Sequence, residues 1–130
     1  MGKFEKYNFE GLDFLCRHWE TSRAWGHEVF VIDGAIEVAH ERVRYYNRTW
    51  EAYTFQSAMY GAICNYEKTE IERFLNSKKI TLGLKGWDKD TYEEYDRPFR
   101  RGQKKALIEE FKQSEQGKRI QVIKDKIMQR

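Results

Sequence analysis

The feature that most constrains the fold of this chain is the dipeptide Asp33-Gly34, which separates two runs of strand-forming residues. A type I′ turn between antiparallel strands needs positive φ at both of its central residues, and Asp-Gly adopts that geometry readily. Residues 27–32 are rich in Val, Ile and Phe, and residues 35–46 alternate apolar and polar side chains over much of their length. The sequence therefore predicts a β-hairpin, with a bulge or strong bend near His40–Glu41, where the apolar phase changes.

A helix is predicted to follow the hairpin, starting near Thr49 with Thr49 or Asn47 as its cap. Apolar residues recur there at three- and four-residue spacing: Phe55, Met59, Ala62, Ile63 and Tyr66. This spacing is typical of an amphipathic helix that lies across one face of a sheet. The pattern Thr69-x-x-Glu72 predicts a second short helix or a restart after a kink.

Weaker patterns on either side complete the predicted sheet. Residues 14–24 alternate in part and predict a strand that ends at Trp25-Gly26, and residues 78–84 predict a short strand. The expected fold class is α+β. It consists of an antiparallel sheet of about three strands, a covering helix, and a helical, basic C-terminal extension.

The C-terminal third divides by composition. Residues 85–102 are polar and contain the only proline, which predicts a loop or a poorly ordered connection. Residues 103–113 and 118–128 carry apolar stripes that are out of phase, so Gly117 is predicted to separate two helices. The predicted organisation is a core domain at 1–84, an acidic and polar connection at 85–102, and a basic helical extension at 103–130.

Charge is unevenly distributed along the chain, whose net charge is +3. Residues 1–96 carry 13 Lys/Arg and 17 Asp/Glu, whereas residues 97–130 carry 11 Lys/Arg and 4 Asp/Glu. An acidic patch precedes the basic end: Asp88, Asp90, Glu93, Glu94 and Asp96. A basic segment can attract phosphates or an acidic protein surface. The alternative is a solvated helical tail that pairs with the acidic body.

Composition excludes several classes of protein. An aromatic content of 15% argues against a disordered chain, and no apolar run approaches the ~18 residues of a membrane span. The N-terminal residues lack the apolar region of a secretory signal, and two cysteines do not build a disulfide scaffold. We therefore expect a cytoplasmic protein with no membrane partner and no cofactor.

Catalytic motifs are missing, so the chain is not expected to be an enzyme. It contains no phosphate-binding loop, nucleophile elbow or HExxH motif. Cys16 and His18 form only half of a zinc-ligand pattern. A metal-dependent nuclease using Glu37 and Glu41 stays a minor alternative, because these two carboxylates share a strand face only if no bulge intervenes. His40 could titrate near neutral pH, but nothing marks it as catalytic.

Arginine and aromatic residues are densest between residues 42 and 53. Aromatic rings beside arginines can stack on bases and pair with phosphates, and the same residue types are enriched at protein–protein hot spots. The alternative is that Tyr45, Trp50 and Phe55 only pack the hairpin onto the helix. Candidate binding residues are Arg42, Arg44, Tyr46 and Arg48 here, and Arg97, Arg100, Arg101, Lys104, Lys105, Lys118 and Arg119 in the basic end.

The run RYYNRTWEAY at residues 44–53, followed by Phe55-Gln56-Ser57, resembles a recurring segment of small proteins encoded by phages and conjugative elements of Gram-positive bacteria. In that group a strand containing Gly-His and a short hairpin precede the motif, and a helix follows it. The resemblance covers roughly residues 20–66. It implies a setting among the accessory proteins of mobile elements, which include anti-CRISPR and other anti-defence proteins.

Two functional hypotheses follow. The first is a non-catalytic inhibitor of a host defence system, an anti-CRISPR protein that binds a type II effector nuclease or its guide RNA/DNA complex and blocks nucleic-acid engagement. Deletion of residues 97–130 is then expected to abolish inhibition. The alternative is a nucleic-acid-binding accessory protein of phage or plasmid replication or transfer, which binds nucleic acid directly. A homodimer through Ile120, Ile123 and Ile127 is left open.

Overall fold

A computed structural model describes residues 3–45 and 55–129. The described residues form an α+β fold, which confirms the predicted class. The strands are β1 (Glu5–Phe9), β2 (Leu12–Glu20), β3 (Trp25–Asp33), β4 (Ile36–Tyr45), β5 (Lys85–Asp88) and β6 (Glu93–Asp96). The helices are α1 (Phe55–Thr81), α2 (Gln103–Gln113) and α3 (Glu115–Met128).

The main sheet has four antiparallel strands in the order β1-β2-β3-β4, rather than about three. The additional strand is β1, which pairs with β2 through a tight turn at Glu10-Gly11. Both turn residues have positive φ, 49° at Glu10 and 86° at Gly11. A turn of this kind usually contains Asn or Asp at its first position, so Glu10 gave no recognisable signal.

The predicted hairpin joins β3 and β4, but its two-residue turn is Gly34-Ala35 and not Asp33-Gly34. Asp33 is the last residue of β3 and pairs with Ile36, whereas Gly34 has a φ of 65°. A glycine with positive φ at the first turn position is typical of a type II′ turn. A bulge is present in β4, but it lies at Val38 and not near His40–Glu41. Ile32 pairs with Glu37 and Val31 pairs with Ala39, which leaves Val38 as the extra residue.

The segment Trp25-Gly26 does not break the sheet, contrary to the sequence-based prediction. Both residues belong to β3, where Trp25 pairs with Tyr45 and Gly26 with Arg44. Gly26 is buried in the strand, and a Cβ atom there would lie 1.8 Å from the carbonyl oxygen of Val43. The glycine therefore permits close approach of a neighbouring strand instead of ending its own.

Helix α1 is continuous from Phe55 to Thr81, so the predicted kink or restart at Thr69 is wrong. The predicted apolar stripe is buried or half-buried along the first half of the helix. The predicted start at Thr49 and its cap residues lie outside the described residues.

The end of α1 corrects the strand predicted at residues 78–84. Residues 78–81 are helical, and Gly83 adopts a φ of 70° just beyond them. The Leu84 N–H donates to the Lys79 carbonyl, and the Gly83 N–H donates to the Ile80 carbonyl. These two bonds form a Schellman motif, which stops the helix and uses carbonyl groups that have no partner within it.

A small hairpin of β5 and β6 occupies much of the segment predicted to be a loop. Lys85 pairs with Asp96, Trp87 pairs with Glu94, and Gly86 lies opposite Tyr95. In the connecting turn the Asp88 carboxylate accepts a hydrogen bond of 2.8 Å from the Asp90 N–H. Side-chain capping of the turn and strand pairing thus order a polar sequence that has few apolar residues.

Helices α2 and α3 are separate, as predicted, but the break is at Ser114 and not at Gly117. Ser114 has extended backbone angles, whereas Gly117 is buried in the first turn of α3. A Cβ atom at position 117 would lie 2.2 Å from the Phe111 carbonyl oxygen. Gly117 therefore permits the end of α2 to approach the start of α3.

The chain groups into two compact units, and the first contains Met1–Glu67 and Arg119–Arg130. Its core lies between one face of the main sheet and the apolar sides of α1 and α3. Side chains that are at most 1% exposed there are Leu12, Phe14, Cys16, Val29, Val31, Ala58, Met59, Ala62, Ile63, Ile120, Ile123 and Ile127. The three isoleucines of α3 are thus core residues and present no exposed seam to a second copy.

The second unit contains Lys68–Lys118 and has a smaller core. Leu75, Leu107 and Phe111 are its buried apolar residues. The Phe74 and Phe111 rings have centroids 5.7 Å apart, which joins the second half of α1 to α2. The β5–β6 hairpin also belongs to this unit.

Candidate functional site

One face of the four-stranded sheet presents arginine and aromatic side chains in rows. Directly paired residues of antiparallel strands project from the same face. Arg17, Glu28 and Arg42 form one such row, and Trp19, Gly26 and Arg44 form the next. We call this surface the arginine face and define it by Arg17, Trp19, Glu28, Phe30, His40, Arg42 and Arg44.

The helices of the first unit lie on the opposite side of the sheet. Asn65 of α1 donates a hydrogen bond of 2.8 Å to the Glu41 carboxylate, and Glu41 belongs to that opposite face. The Phe55 ring also lies 4.6 Å from the ring of His27 there. Among the described residues of this unit, no helix covers the arginine face.

Glu28 organises the centre of the arginine face. The residue is only 5% exposed, and its Oε1 accepts hydrogen bonds from Arg17 Nε at 2.7 Å and Arg17 Nη2 at 2.6 Å. Its Oε2 lies 2.9 Å from His40 Nε2. Burial alone would raise the pKa of Glu28, but the hydrogen bonds from His40 and Arg17 outweigh it and lower that pKa. The ionised carboxylate therefore fixes the Arg17 and His40 side chains.

Arg42 is held by an aromatic ring instead of a carboxylate. Its guanidinium carbon lies 4.2 Å from the centroid of Trp19. Within the described residues, the Arg42 guanidinium forms no ion pair or hydrogen bond, and the Trp19 indole N–H has no acceptor. The stacking thus orients the Arg42 guanidinium while leaving its N–H donors available for a ligand.

The stacking depends on the glycine beneath the indole. Trp19 is only 6% exposed and lies over Gly26. A Cβ atom at position 26 would come within 2.8 Å of two carbon atoms of the Trp19 ring. Gly26 therefore creates the space that lets the indole lie flat on the sheet and support Arg42.

Further aromatic groups extend the arginine face. The Phe30 and His40 rings stack with centroids 4.6 Å apart and an interplanar angle of 17°. Phe4 meets the edge of Phe30 at 6.0 Å, and the Arg17 guanidinium lies 5.0 Å above the Phe4 ring. Phe4 and His40 are both exposed. Exposed rings beside oriented guanidinium groups can stack on planar ligands and bind anionic oxygens.

The sequence-predicted binding residues are distributed over several places. Arg42 and Arg44 share the arginine face, whereas Tyr46 and Arg48 lie outside the described residues. Arg119 belongs to the first unit, but its guanidinium donates two hydrogen bonds to the Glu10 carbonyl at 3.1 and 2.9 Å. It also lies 3.7 Å from the Asp33 carboxylate. These contacts give Arg119 a structural role at the β1–β2 and β3–β4 turns.

The remaining predicted basic residues belong to the second unit. Arg97 stacks on Tyr95, with its guanidinium carbon 5.5 Å from the ring centroid. The others are exposed and lie in the connection before α2 and in the first turns of α2 and α3: Arg100, Arg101, Lys104, Lys105 and Lys118. They therefore belong to a different unit of the chain from Arg42.

Sequence analysis did not select Arg17, Trp19, Glu28 or Phe30. The alternation within β2 is a local signal for Arg17 and Trp19, since it places both side chains on one face. Their relation to Arg42 depends on the register of three strands, which no local pattern specifies. The role of Glu28 is recognisable only from the structure, in which this carboxylate lies in the middle of a strand with cationic groups on both sides.

The alternative nuclease site is not supported by the strand geometry. The bulge at Val38 places Glu37 and Glu41 on opposite faces of the sheet, because Glu37 pairs with Ile32 and Glu41 pairs with Val29. These two carboxylates therefore cannot coordinate one metal ion from a shared face.

No protein-family model matches this chain, and comparisons with curated proteins and with solved structures also found no match. Within residues 3–45 and 55–129, no cluster of three or more His, Cys, Asp and Glu side chains is arranged to hold a metal ion. No helix in this part of the chain combines the length and apolar character needed to cross a membrane.

Proposed function

We propose that this protein is a non-catalytic binding protein whose arginine face contacts nucleic acid. The observation that carries the proposal is the Arg42 guanidinium, which is stacked on Trp19 and has no partner among the described residues. An arginine in this state can donate two parallel hydrogen bonds to a phosphate. It also loses little rotamer freedom on binding, because the stacking already restricts it.

The neighbouring groups favour a nucleic acid over a simple anion. Phe4 is 48% exposed and can stack on a base. Both Phe4 and the exposed His40 ring contact the Phe30 ring. Base–aromatic stacking contributes about 1–3 kcal/mol per base and tolerates most sequences. The arrangement therefore suits single-stranded nucleic acid with little sequence preference.

For the biological role, we propose a mobile-element-encoded inhibitor of a host defence system. The support is the resemblance at residues 44–53 to small phage and conjugative-element proteins. The specific form proposed is an anti-CRISPR protein that binds a type II effector nuclease complex and blocks its engagement with nucleic acid. A net charge of +3 is unlike that of a protein mimic of DNA, so the proposed target includes nucleic acid or an acidic protein surface.

A binding assay with the purified 130-residue chain tests this role. The chain is mixed with a type II effector nuclease, with and without guide RNA, and in parallel with free DNA and RNA at low and high salt. The inhibitor proposal expects binding to the nuclease complex that exceeds binding to free nucleic acid and weakens in Arg42→Gln. Unchanged nuclease cleavage and no binding to the complex would exclude this role.

The second candidate function is a nucleic-acid-binding accessory protein of replication or transfer. The exposed basic residues of the second unit, Arg100, Arg101, Lys104 and Lys105, favour it because they are available to phosphates. The expected result is binding to free DNA or RNA that falls steeply with salt and is indifferent to the nuclease. Absence of binding to either nucleic acid at low salt would exclude it and the arginine-face proposal together.

A further inference from the structure

The second unit contains a cleft of about 630 Å³ between the end of α1 and the β5–β6 hairpin. Its lining residues are Ile80, Lys85, Gly86, Trp87, Glu94, Tyr95 and Asp96. We call it the Trp87 cleft. Ile80 is 63% exposed and Trp87 is 55% exposed, so a large aliphatic and a large aromatic side chain face solvent here. Exposed apolar groups of this size with a polar rim commonly mark interaction surfaces.

Trp87 and Glu94 form the distinctive part of this cleft. They are directly paired across β5 and β6, so their side chains project from the same face of the hairpin. Within the described residues, Glu94 has no ion-pair partner and the Trp87 ring has no aromatic or cationic neighbour. An indole ring and a free carboxylate side by side provide the two groups that best bind an organic cation.

The other charged groups of the cleft are already engaged. Asp96 accepts a hydrogen bond of 2.9 Å from the Lys79 ammonium group, and Lys85 lies 3.4 Å from the Asn76 side-chain oxygen. Asp96 is thus paired with a cation, whereas Lys85 contacts only a neutral amide. Among the described residues, Glu94 is the carboxylate of the cleft without a counterion. The hairpin around it is strongly acidic, with five carboxylates and two lysines over residues 85–96.

We propose that the Trp87 cleft binds a lysine- or arginine-bearing segment of a partner protein. The cationic group contacts the Trp87 ring and the Glu94 carboxylate, and the methylene groups of the same side chain pack against Ile80. The acidic hairpin attracts a basic peptide and repels the phosphates of nucleic acid. The proposal concerns a different surface from the arginine face and does not depend on it.

Titration of the 130-residue chain with a synthetic peptide tests the proposal. The probe is an eight-residue peptide of alternating arginine and serine, and the readouts are calorimetry and the NMR signal of the Trp87 indole N–H. We expect saturable 1:1 binding that weakens at high salt and shifts this indole signal. Trp87→Ala and Glu94→Gln should each weaken binding by at least about threefold, the minimum expected for an exposed cation–aromatic or ion-pair contact.

Two matched controls separate a defined cleft from general charge attraction. Glu93→Gln removes the same charge from the neighbouring position, on the other face of the hairpin. Tyr92→Asn removes a more exposed ring from the turn, at a positive φ that asparagine tolerates. Both variants should bind the peptide within about 1.5-fold of the unmodified chain.

Three results would overturn the proposal. They are the absence of saturable binding at low salt, equal losses for Glu93→Gln and Glu94→Gln, and saturable binding of a single-stranded oligonucleotide that shifts the Trp87 signal. Thermal unfolding of each variant checks that the hairpin is intact. Should Trp87→Ala destabilise the second unit, Glu94→Gln against Glu93→Gln decides the question alone, because both residues are exposed.

Discussion

The guanidinium group of Arg42 is stacked on the ring of Trp19, 4.2 Å from its centroid. The two residues come from β4 and β2, and between them Gly26 of β3 leaves room for the indole. Three strands therefore cooperate to orient one cationic side chain on an open sheet face. Substitution of Arg42, Gly26 or Glu28 tests this arrangement. Substitution of Ile123 tests the packing of α3 on the other side of the sheet.

Replacing Arg42 with glutamine should weaken binding of a single-stranded oligonucleotide severalfold and lower the salt dependence by about one phosphate contact. The reason is the loss of an oriented phosphate donor, since Arg42 has no other partner in the described structure. Affinity measured at several salt concentrations gives both quantities. Arg73→Gln is the matched control, because Arg73 is exposed on α1 with only Glu70 nearby, at 3.4 Å. Equal effects of the two variants would contradict a role for the arginine face.

Gly26→Ala should destabilise the protein by at least about 3 kcal/mol, because overpacking of this kind strains a buried strand. The added Cβ would meet the Val43 carbonyl oxygen at 1.8 Å and the Trp19 ring at 2.8 Å. Gly34→Ala is the control. Its site has a φ of 65° and no atom near the new methyl group, so only the conformational cost of about 1–2 kcal/mol applies. Urea denaturation of both variants measures the difference, and a smaller loss for Gly26→Ala than for Gly34→Ala would refute it.

Glu28→Gln should lower the free energy of unfolding by about 1–3 kcal/mol at neutral pH, since the charged hydrogen bonds to Arg17 and His40 are lost. The contribution of Glu28 is pH-dependent, because its pKa is lower in the folded state than the ordinary value of 4.5. Such a carboxyl stabilises the fold fully above its unfolded pKa and loses that effect as pH falls through its folded pKa. The difference between the two proteins should therefore shrink as the pH falls below the ordinary value of 4.5. A constant difference over that range would argue against the assignment.

Ile123→Ala should cost about 2–5 kcal/mol, the usual range for a cavity left by a fully buried isoleucine. The neighbouring Val122 is 41% exposed, so Val122→Ala should change stability by less than about 0.5 kcal/mol. Thermal or urea unfolding distinguishes them. Near-equal values would mean that α3 does not pack on the sheet as described.

Charge substitution, and not truncation, is the appropriate test of the basic end. Deleting residues 97–130 would remove the α3 isoleucines from the core of the first unit, so lost inhibition would report unfolding. Replacing Arg100, Arg101, Lys104 and Lys105 with glutamine removes four exposed charges and should leave the unfolding midpoint nearly unchanged. If these residues contact phosphates, nucleic-acid affinity should fall more at low salt than at high salt. Unchanged affinity at both salts would exclude them from the interface.

The local parts of the fold could be predicted from the sequence. The Asp33-Gly34 signal predicts the hairpin, although the turn itself is one residue later, at Gly34-Ala35. The stripe from Phe55 to Tyr66 predicts a helix by its spacing. The Glu10-Gly11 turn could not be recognised in the same way, because glutamate seldom occupies a residue with positive φ. The sequence predicts a strand at residues 78–84. In the structure α1 continues to Thr81 and is capped at Gly83, so helix continuation outweighs the local strand preference.

The candidate site was only partly predictable for a related reason. Arg42 and Arg44 were selected because they lie in a segment rich in arginine and aromatic residues. Trp19 and Glu28 acquire their roles from strand register, which brings residues distant in sequence into neighbouring rows. A single sequence contains no local signal for such pairing. The strand register depends on which side chains are buried, and that burial depends on packing throughout the core.

The packing of Ile120, Ile123 and Ile127 into the first unit also determines when this chain can fold during its synthesis. The sheet strands and the first half of α1 leave the ribosome early, but the apolar surface that α3 covers stays open until residue 127 has emerged. Contacts between such distant parts of a chain form slowly. Until they form, the uncovered hydrophobic surface can aggregate with other chains. A ribosome that stalls before α3 is complete would therefore hold a chain in which this apolar surface is still uncovered.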